Sequence, residues 1–300
     1  MSKVLMIFLD GVGIGQKDPE INPFFKYKFK LFSDFFGETP SLENQYLEKK
    51  GTYLFPVDPI MEVEGLPLSG TGQTSIFCGI NAQKKIGQHF GPFPYSTLIP
   101  DIKEKNIFKE FLNRNKKVSF ANAYPKVFFD YINSGKKRLS VTSLSCLLSG
   151  VQLYKAAELH RGKALSAEIT NFRWVGKLNY KMPVIRPETA ARRLLKMNDK
   201  NDFTLFEFFF SDHLGHGRLK DEMEYILDSL DRFLLYLLEN VDSDTTLLIC
   251  SDHGNLEDLS VKSHTLNPSM TIAAGKNAKS VSEKIKDLSQ IKEVLLEVIN

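Results

Sequence analysis

The chain has 300 residues, of which 42% are hydrophobic and 25% charged, and a formal net charge of +3. That length suffices for one large α/β domain or two ordinary ones, and the composition is that of a soluble globular protein. The small net charge, with no arginine–lysine stripe, leaves nucleic-acid binding without electrostatic support.

Three cysteines, Cys78, Cys146 and Cys250, lie far apart among apolar residues and read as reduced, buried thiols of a cytoplasmic protein rather than a disulfide framework. The run Val4 to Leu9 is too short for the core of a signal sequence. No later stretch approaches the roughly eighteen apolar residues of a membrane span. No linker or internal repeat divides the sequence, which predicts a single domain over residues 1–300 with a small insertion or lid at about 127–185.

Val4 to Leu9 predicts a central strand, apolar on both faces as a buried parallel strand is. Asp10-Gly-Val-Gly-Ile-Gly15 follows it. A dinucleotide-binding turn needs a third glycine at another spacing and a helix directly after, and Gln16-Lys-Asp-Pro19 blocks that helix. Asp10 at a strand terminus is therefore read as a metal-ligand candidate. Residues 16–52 carry many phenylalanines without clean periodicity and are expected to pack as a long loop or short helices on the core. Pro56 to Pro59 is expected to be extended.

Leu66-Pro-Leu-Ser-Gly-Thr-Gly-Gln-Thr-Ser-Ile-Phe-Cys-Gly79 reads as a loop entering a short helix that ends at a glycine. Thr74 falls at or near the expected N-cap, where it serves either as a cap or as a nucleophile facing unpaired N–H groups and the positive dipole end. Thr71 is its rival, and Ser75 falls inside the expected helix turn. Further on, Ile86 to Pro94 predicts a rigid loop, Asn106 to Leu112 a helix, and Val118 to Pro125 a strand ending in a polar loop. Pro187 to Leu195 predicts a helix with proline at its first position. His89 and Asn122 are candidate substrate contacts, with Arg138, Arg161 and Arg173 behind them.

Phe203 to Phe210 predicts a buried strand, and Ser211-Asp-His-Leu-Gly-His-Gly217 follows at its end. The design repeats in Thr245 to Cys250 followed by Ser251-Asp-His-Gly254. Four of the six histidines, His213, His216, His253 and His264, lie in or just after these two stretches. Aspartate and imidazole at strand ends suit a borderline divalent ion. Leu219 to Asn240 has helical spacing, Ser269 to Gly275 predicts a late strand, and Ile285 to Ile299 a terminal amphipathic helix.

The ordered set Asp10, Gly72-Gln-Thr-Ser75, Asp212-His-Leu-Gly-His216, Asp252-His-Gly254 and His264 resembles the alkaline phosphatase superfamily, which includes cofactor-independent phosphoglycerate mutases and phosphopentomutases. The resemblance implies an α/β fold of three layers around a doubly wound, mostly parallel sheet, and two divalent ions, Zn2+ or Mn2+. It implies Asp212, His216 and His264 as ligands of one ion, and Asp10, Asp252, His253 and Thr74 as those of the other. His213 matches no ligand position and is read as a supporting or core residue. The loop before Thr74 reproduces neither the Asn-Ser-Glu of the phosphoglycerate mutases nor the triple threonine of the phosphopentomutases. The Cys/Ser-x-Pro-x-Arg pattern of a sulfatase is absent.

The implied activity is hydrolysis of a small phosphorylated substrate through a phosphothreonine. A phosphomutase acting on a sugar or glycerate phosphate and a catalytically silent metal-binding protein are the alternatives. The short 127–185 segment favours hydrolysis, since a mutase needs a closing lid to keep its phosphoenzyme dry.

Overall fold

The computed structural model describes residues 2–135 and 138–299, so that residues 1, 136, 137 and 300 of the expected domain and insertion lie outside the described residues. One seven-stranded sheet organises the chain. Its strands are β1 (Lys3–Leu9), β2 (Leu47–Lys49), β3 (Thr52–Val57), β4 (Val118–Phe120), β5 (Phe203–Phe208), β6 (Thr245–Ser251) and β7 (Ser269–Gly275), in the order β2-β3-β7-β6-β1-β5-β4. Strands β6, β1, β5 and β4 run parallel, whereas β7, β3 and β2 are joined to them by antiparallel pairings.

The apolar runs of β1, β5 and β6 are buried along their whole length apart from Lys3. The strand period of two splits them between the two sheet faces. Leu5, Ile7 and Leu9 face a core with Phe206, Leu247 and Ile249, covered by the helices Pro187–Asn198 and Met223–Asn240. Val4, Met6 and Phe8 face the other core with Leu205, Leu248 and Cys250, covered by the helices Ser69–Cys78, Ile107–Asn113 and Ile291–Val298. Helices on both faces of this mixed sheet, parallel through its β6-β1-β5-β4 half, give the expected three-layer α/β architecture.

The antiparallel wing corrects the reading of residues 16–52 as loop and short helix throughout, because β2 begins at Leu47. The described residues between 126 and 176 include four short helices, beginning with Lys126–Asn133 and Val141–Leu148. They are stitched to the β4 end of the sheet: Ala123 N donates to Leu165 O at 2.7 Å, Leu165 N to Ala121 O at 2.8 Å and Tyr124 N to Tyr154 O at 2.8 Å. The three cysteines are buried and unpaired. Among the described residues no helix is long and apolar enough to cross a membrane.

Candidate metal centre

Strands β1, β5 and β6 end on the same edge of the sheet, since Leu9 pairs with both Phe208 and Ser251. Their C-terminal ends carry Asp10, Asp212 and Asp252, which is where open α/β sheets place their sites. A short helix, Phe210–Gly215, follows β5, with His216 as its C-cap. One helical turn then separates Asp212 from His216 and sets both on one side. Asp212 Oδ1 lies 3.2 Å from His216 Nε2 and 3.3 Å from His264 Nε2. Ser211 Oγ donates to Asp10 O at 2.5 Å and ties this helix to the end of β1.

Tautomers decide what the cluster can hold. His216 Nδ1 is 2.6 Å from Lys262 O, and His264 Nδ1 is 2.7 Å from Pro67 O. A carbonyl only accepts, so both protons sit on Nδ1. The two Nε2 lone pairs therefore face each other across 3.3 Å and also face the Asp212 carboxylate. Three acceptors converging with no proton between them fit a cation, and each imidazole is oriented by a carbonyl behind it.

The second group is Asp10, Asp252 and His253, whose ligand atoms lie within 4.8 Å of one another. His253 Nε2 is 3.4 Å from Asp10 Oδ1 and 3.4 Å from Asp252 Oδ2. Asp252 is fully buried, and its Oδ2 has no hydrogen-bond donor. Burial pushes the Asp252 carboxyl well above the usual carboxylate range. Burial alone would depress His253, but the Asp252, Asp10 and Asp212 carboxylates outweigh it and raise it to about 10. The cluster thus concentrates negative charge and attracts a positive one. His253 also stacks on His264 with ring centroids 3.8 Å apart, so the two groups adjoin. All six expected protein ligands other than Thr74 are brought together.

Thr74 is not with them. The helix begins at Ser69 with Leu68 as its N-cap, which leaves Thr74 mid-helix. There it is fully buried, and its hydroxyl donates to Gly70 O at 2.6 Å. Thr71 Oγ1 is engaged with Leu68 O and Phe90 N, and Ser75 Oγ with Thr71 O and Gln83 Oε1. The hydroxyl at the centre is Ser69: its Oγ is 3.0 Å from His253 Nε2 and 3.4 Å from Asp10 Oδ1, at the positive end of the helix.

A cavity of about 380 Å3 opens over Ser69, Asp10 and Asp212, with aromatic walls including Phe93, Phe128 and Phe209. His213, Arg138 and Arg218 also line it, and Arg138 and Arg218 are exposed and have no ion pair within 4.0 Å among the described residues. His89 does not line it; its Nε2 donates to Val63 O at 2.9 Å and secures a neighbouring loop. Asn122 is used up by β5, donating to Glu207 O at 2.7 Å and accepting from Glu207 N at 2.9 Å. Arg161 and Arg173 are paired with Glu158 and Glu222.

A family model described as the Metalloenzyme superfamily matches residues 175–300, which include Asp212, His216, Asp252, His253 and His264. A comparison with curated protein sequences finds no match. Among solved structures, the alkaline phosphatase from the Antarctic bacterium TAB5 aligns over 99% of this chain and 98% of its own, at 14% identity and TM-score 0.55. The fold is alkaline-phosphatase-like. A cold-active alkaline phosphatase from a Shewanella species gives the same picture, at 11% identity, 98% and 99% coverage and TM-score 0.54. So does the PH0037 protein of Pyrococcus horikoshii, at 14% identity, 100% and 97% coverage and TM-score 0.57.

Within this alkaline-phosphatase-like fold, the cavity residues that sequence reading left unassigned include Ser69, Gln73, Glu207 and Arg218. Ser69 was hidden by the expected start of its helix. Gln73 lies one turn after Ser69 and has a buried Oε1 without a partner. Glu207 lies near the end of β5, buried, accepting from Thr142 Oγ1 at 2.9 Å. Burial raises its carboxyl to about 8, with Asp10 adding to the effect against the Thr142 hydrogen bond. An acid inside Phe203 to Phe210 was the available signal, since carboxylates are rarely buried without a purpose.

Proposed function

We propose that the protein is a phosphoester hydrolase acting on a small phosphorylated substrate with two divalent ions, zinc or manganese, through a phosphoserine on Ser69. The observation that carries this reading is the Ser69 hydroxyl, 3.0 Å from His253 Nε2 and 3.4 Å from Asp10 Oδ1 beneath the cavity. Asp212, His216 and His264 would hold one ion, and Asp10, Asp252 and His253 the other beside Ser69. Two ions bound there would lower the pKa of the Ser69 hydroxyl and neutralise charge on the entering and leaving oxygens.

The chain's own residues supply the rest. Ser69 Oγ attacks phosphorus as its proton, directed at Asp10 Oδ1, is given up to solvent; the bond from phosphorus to the ester oxygen breaks, the alcohol leaves with a proton taken from water, and the phosphoryl oxygens meet the positive end of the Ser69–Cys78 helix. Gln73 offers a side-chain amide on the same wall, and Arg138 and Arg218 draw an anionic ester to the rim. Water then releases phosphate from Ser69. Hydrolysis is favoured over transfer because residues 126–176 are stitched to the sheet edge by backbone hydrogen bonds, rather than hung as a hinged lid that would keep water out.

The test is to load the protein with zinc or manganese, supply aryl phosphates, phosphodiesters and phosphorylated sugars, and follow phosphate and positional isomers together. Phosphate release, with a phosphoryl group trapped on Ser69 in acid-quenched samples, is the expected result. Isomers without phosphate would make the protein a mutase. Two bound ions without turnover of any ester would make it a metal-binding protein.

A further inference from the structure

Glu257 takes no part in the chemistry above, yet it is hydrogen-bonded beside Asp10, His253 and His264 alike. Its side chain is fully buried and makes no ion pair among the described residues. Oε2 accepts from Gly13 N and from Asn255 N, both at 2.8 Å. Oε1 accepts from Thr265 Oγ1 at 2.5 Å and from Asn267 Nδ2 at 3.0 Å. Four donors on two oxygens saturate the acceptor capacity of this side chain.

The donors come from two loops, the one after β1 and the β6–β7 connection that also carries Glu257. Gly13 lies on the loop of Asp10, Asn255 on that of Asp252 and His253, and Thr265 next to His264. The Asp212 segment is reached at one remove, because Asn255 Nδ2 donates to Asp212 Oδ1 at 2.7 Å and to Asp212 O at 3.3 Å. The loops close on this side chain so tightly that a Cβ on Gly13 would lie 2.6 Å from Oε1, and one on Gly254 only 2.3 Å from it.

We propose that Glu257 is a positioning residue: a single buried carboxylate sets the spacing of the four ligand-bearing segments, and above all holds His264 in reach of Asp212 through Thr265. This rests on the metal-centre reading and deepens it. Swapping the carboxylate for an amide keeps one oxygen for the two backbone donors. Thr265 and Asn267 must then reorient toward the new NH2 group, so Glu257→Gln slackens the His264 side first. Thr265→Val removes the same strut from the other end with little change of volume.

The experiment measures zinc binding by calorimetry and the visible spectrum of the cobalt-substituted protein. It compares wild type, Glu257→Gln, Thr265→Val and Asp231→Asn. Asp231 is a control, since it accepts Lys30 N and Leu31 N at 2.8 Å each and is none of the candidate ligands. In both Glu257→Gln and Thr265→Val, one of the two ions should bind roughly 10–100-fold more weakly. The cobalt bands should change while far-ultraviolet circular dichroism stays that of the wild type. Asp231→Asn should lower the melting temperature without moving either metal readout. Unchanged zinc affinities and cobalt bands in Thr265→Val overturn the proposal, whatever happens to its melting temperature. A wild type that takes up no ion overturns the metal-centre reading itself.

Discussion

Ser69 and Thr74 differ by five positions and by everything around the oxygen. Ser69 Oγ faces an imidazole nitrogen and a carboxylate beneath a cavity, while Thr74 Oγ1 is closed off against Gly70 O. Ser69→Ala should therefore cut turnover of an aryl phosphate by roughly 10^3-fold or more, as loss of a covalent nucleophile does. Thr74→Ala should leave turnover within a few-fold and cost about 1–2 kcal/mol of stability for the lost buried hydrogen bond and methyl group. Steady-state kinetics and urea unfolding of the two variants check this, and a silent Thr74→Ala beside an active Ser69→Ala would reverse the assignment. The acids and imidazoles that gather here were legible as a set of motifs rather than one by one, because an acid or imidazole at the end of an apolar run has few structural uses. The hydroxyl beside them was not, since any of four hydroxyls from Ser69 to Ser75 met the compositional requirement and only the helix frame separates them.

That frame is set at the scale of the helix and the loop above it. Glycines at 70 and 72 read as loop because glycine is a poor helix former, yet both lie inside Ser69–Cys78. They are there for close approach: a Cβ on Gly70 would lie 2.2 Å from Phe93 O and 2.7 Å from Phe90 O, and one on Gly72 3.1 Å from Asp252 Cβ. Gly70→Ala should therefore push the helix N-terminus away from the Phe90–Pro94 loop and carry Ser69 with it. The expected loss is about 10^2-fold in kcat/KM, the scale of a displacement near 1 Å, with about 1–3 kcal/mol of stability. Gly176→Ala, where no atom would lie within 4 Å of the new Cβ, should be neutral or mildly stabilising. Equal behaviour of the two variants in kinetics and melting would show that Gly70 has no such role. The same limit on local reading explains the two strands that were missed, β2 and β3. Pro56 argues against a strand, but β2 pairs only with Thr52 to Leu54, so Pro56 sits where β3 has become an edge. The strands with continuous apolar runs, β1, β5 and β6, carried their own signal; β2 and β3 depend on partners distant in sequence.

At the scale of the whole molecule, the fold gathers more negative charge at one edge of its sheet than the net charge of +3 would suggest. Glu207 reports the cost of that gathering. Its carboxyl is raised from 4.5 to about 8 by burial, supported by Asp10 and opposed by the Thr142 hydrogen bond. In the unfolded chain it ionises near its ordinary value, whereas in the folded protein it keeps its proton until about 8. Below pH 4.5 it is protonated in both states and exerts no pH effect. Between those two values the unfolded state holds fewer protons than the folded one, so stability falls as pH rises, by up to about 1.4 kcal/mol per pH unit from this group. Above pH 8 the penalty is complete and stops growing. Other groups in the cluster also titrate, so the difference between wild type and Glu207→Gln isolates this one: glutamine keeps the size and carries no proton to lose. Chelator-treated samples of both, unfolded in urea at pH 5 and pH 8, should show Glu207→Gln gaining on the wild type as pH rises. Parallel stability curves would mean that Glu207 ionises normally in the folded protein and that its carboxylate already has a partner near Thr142.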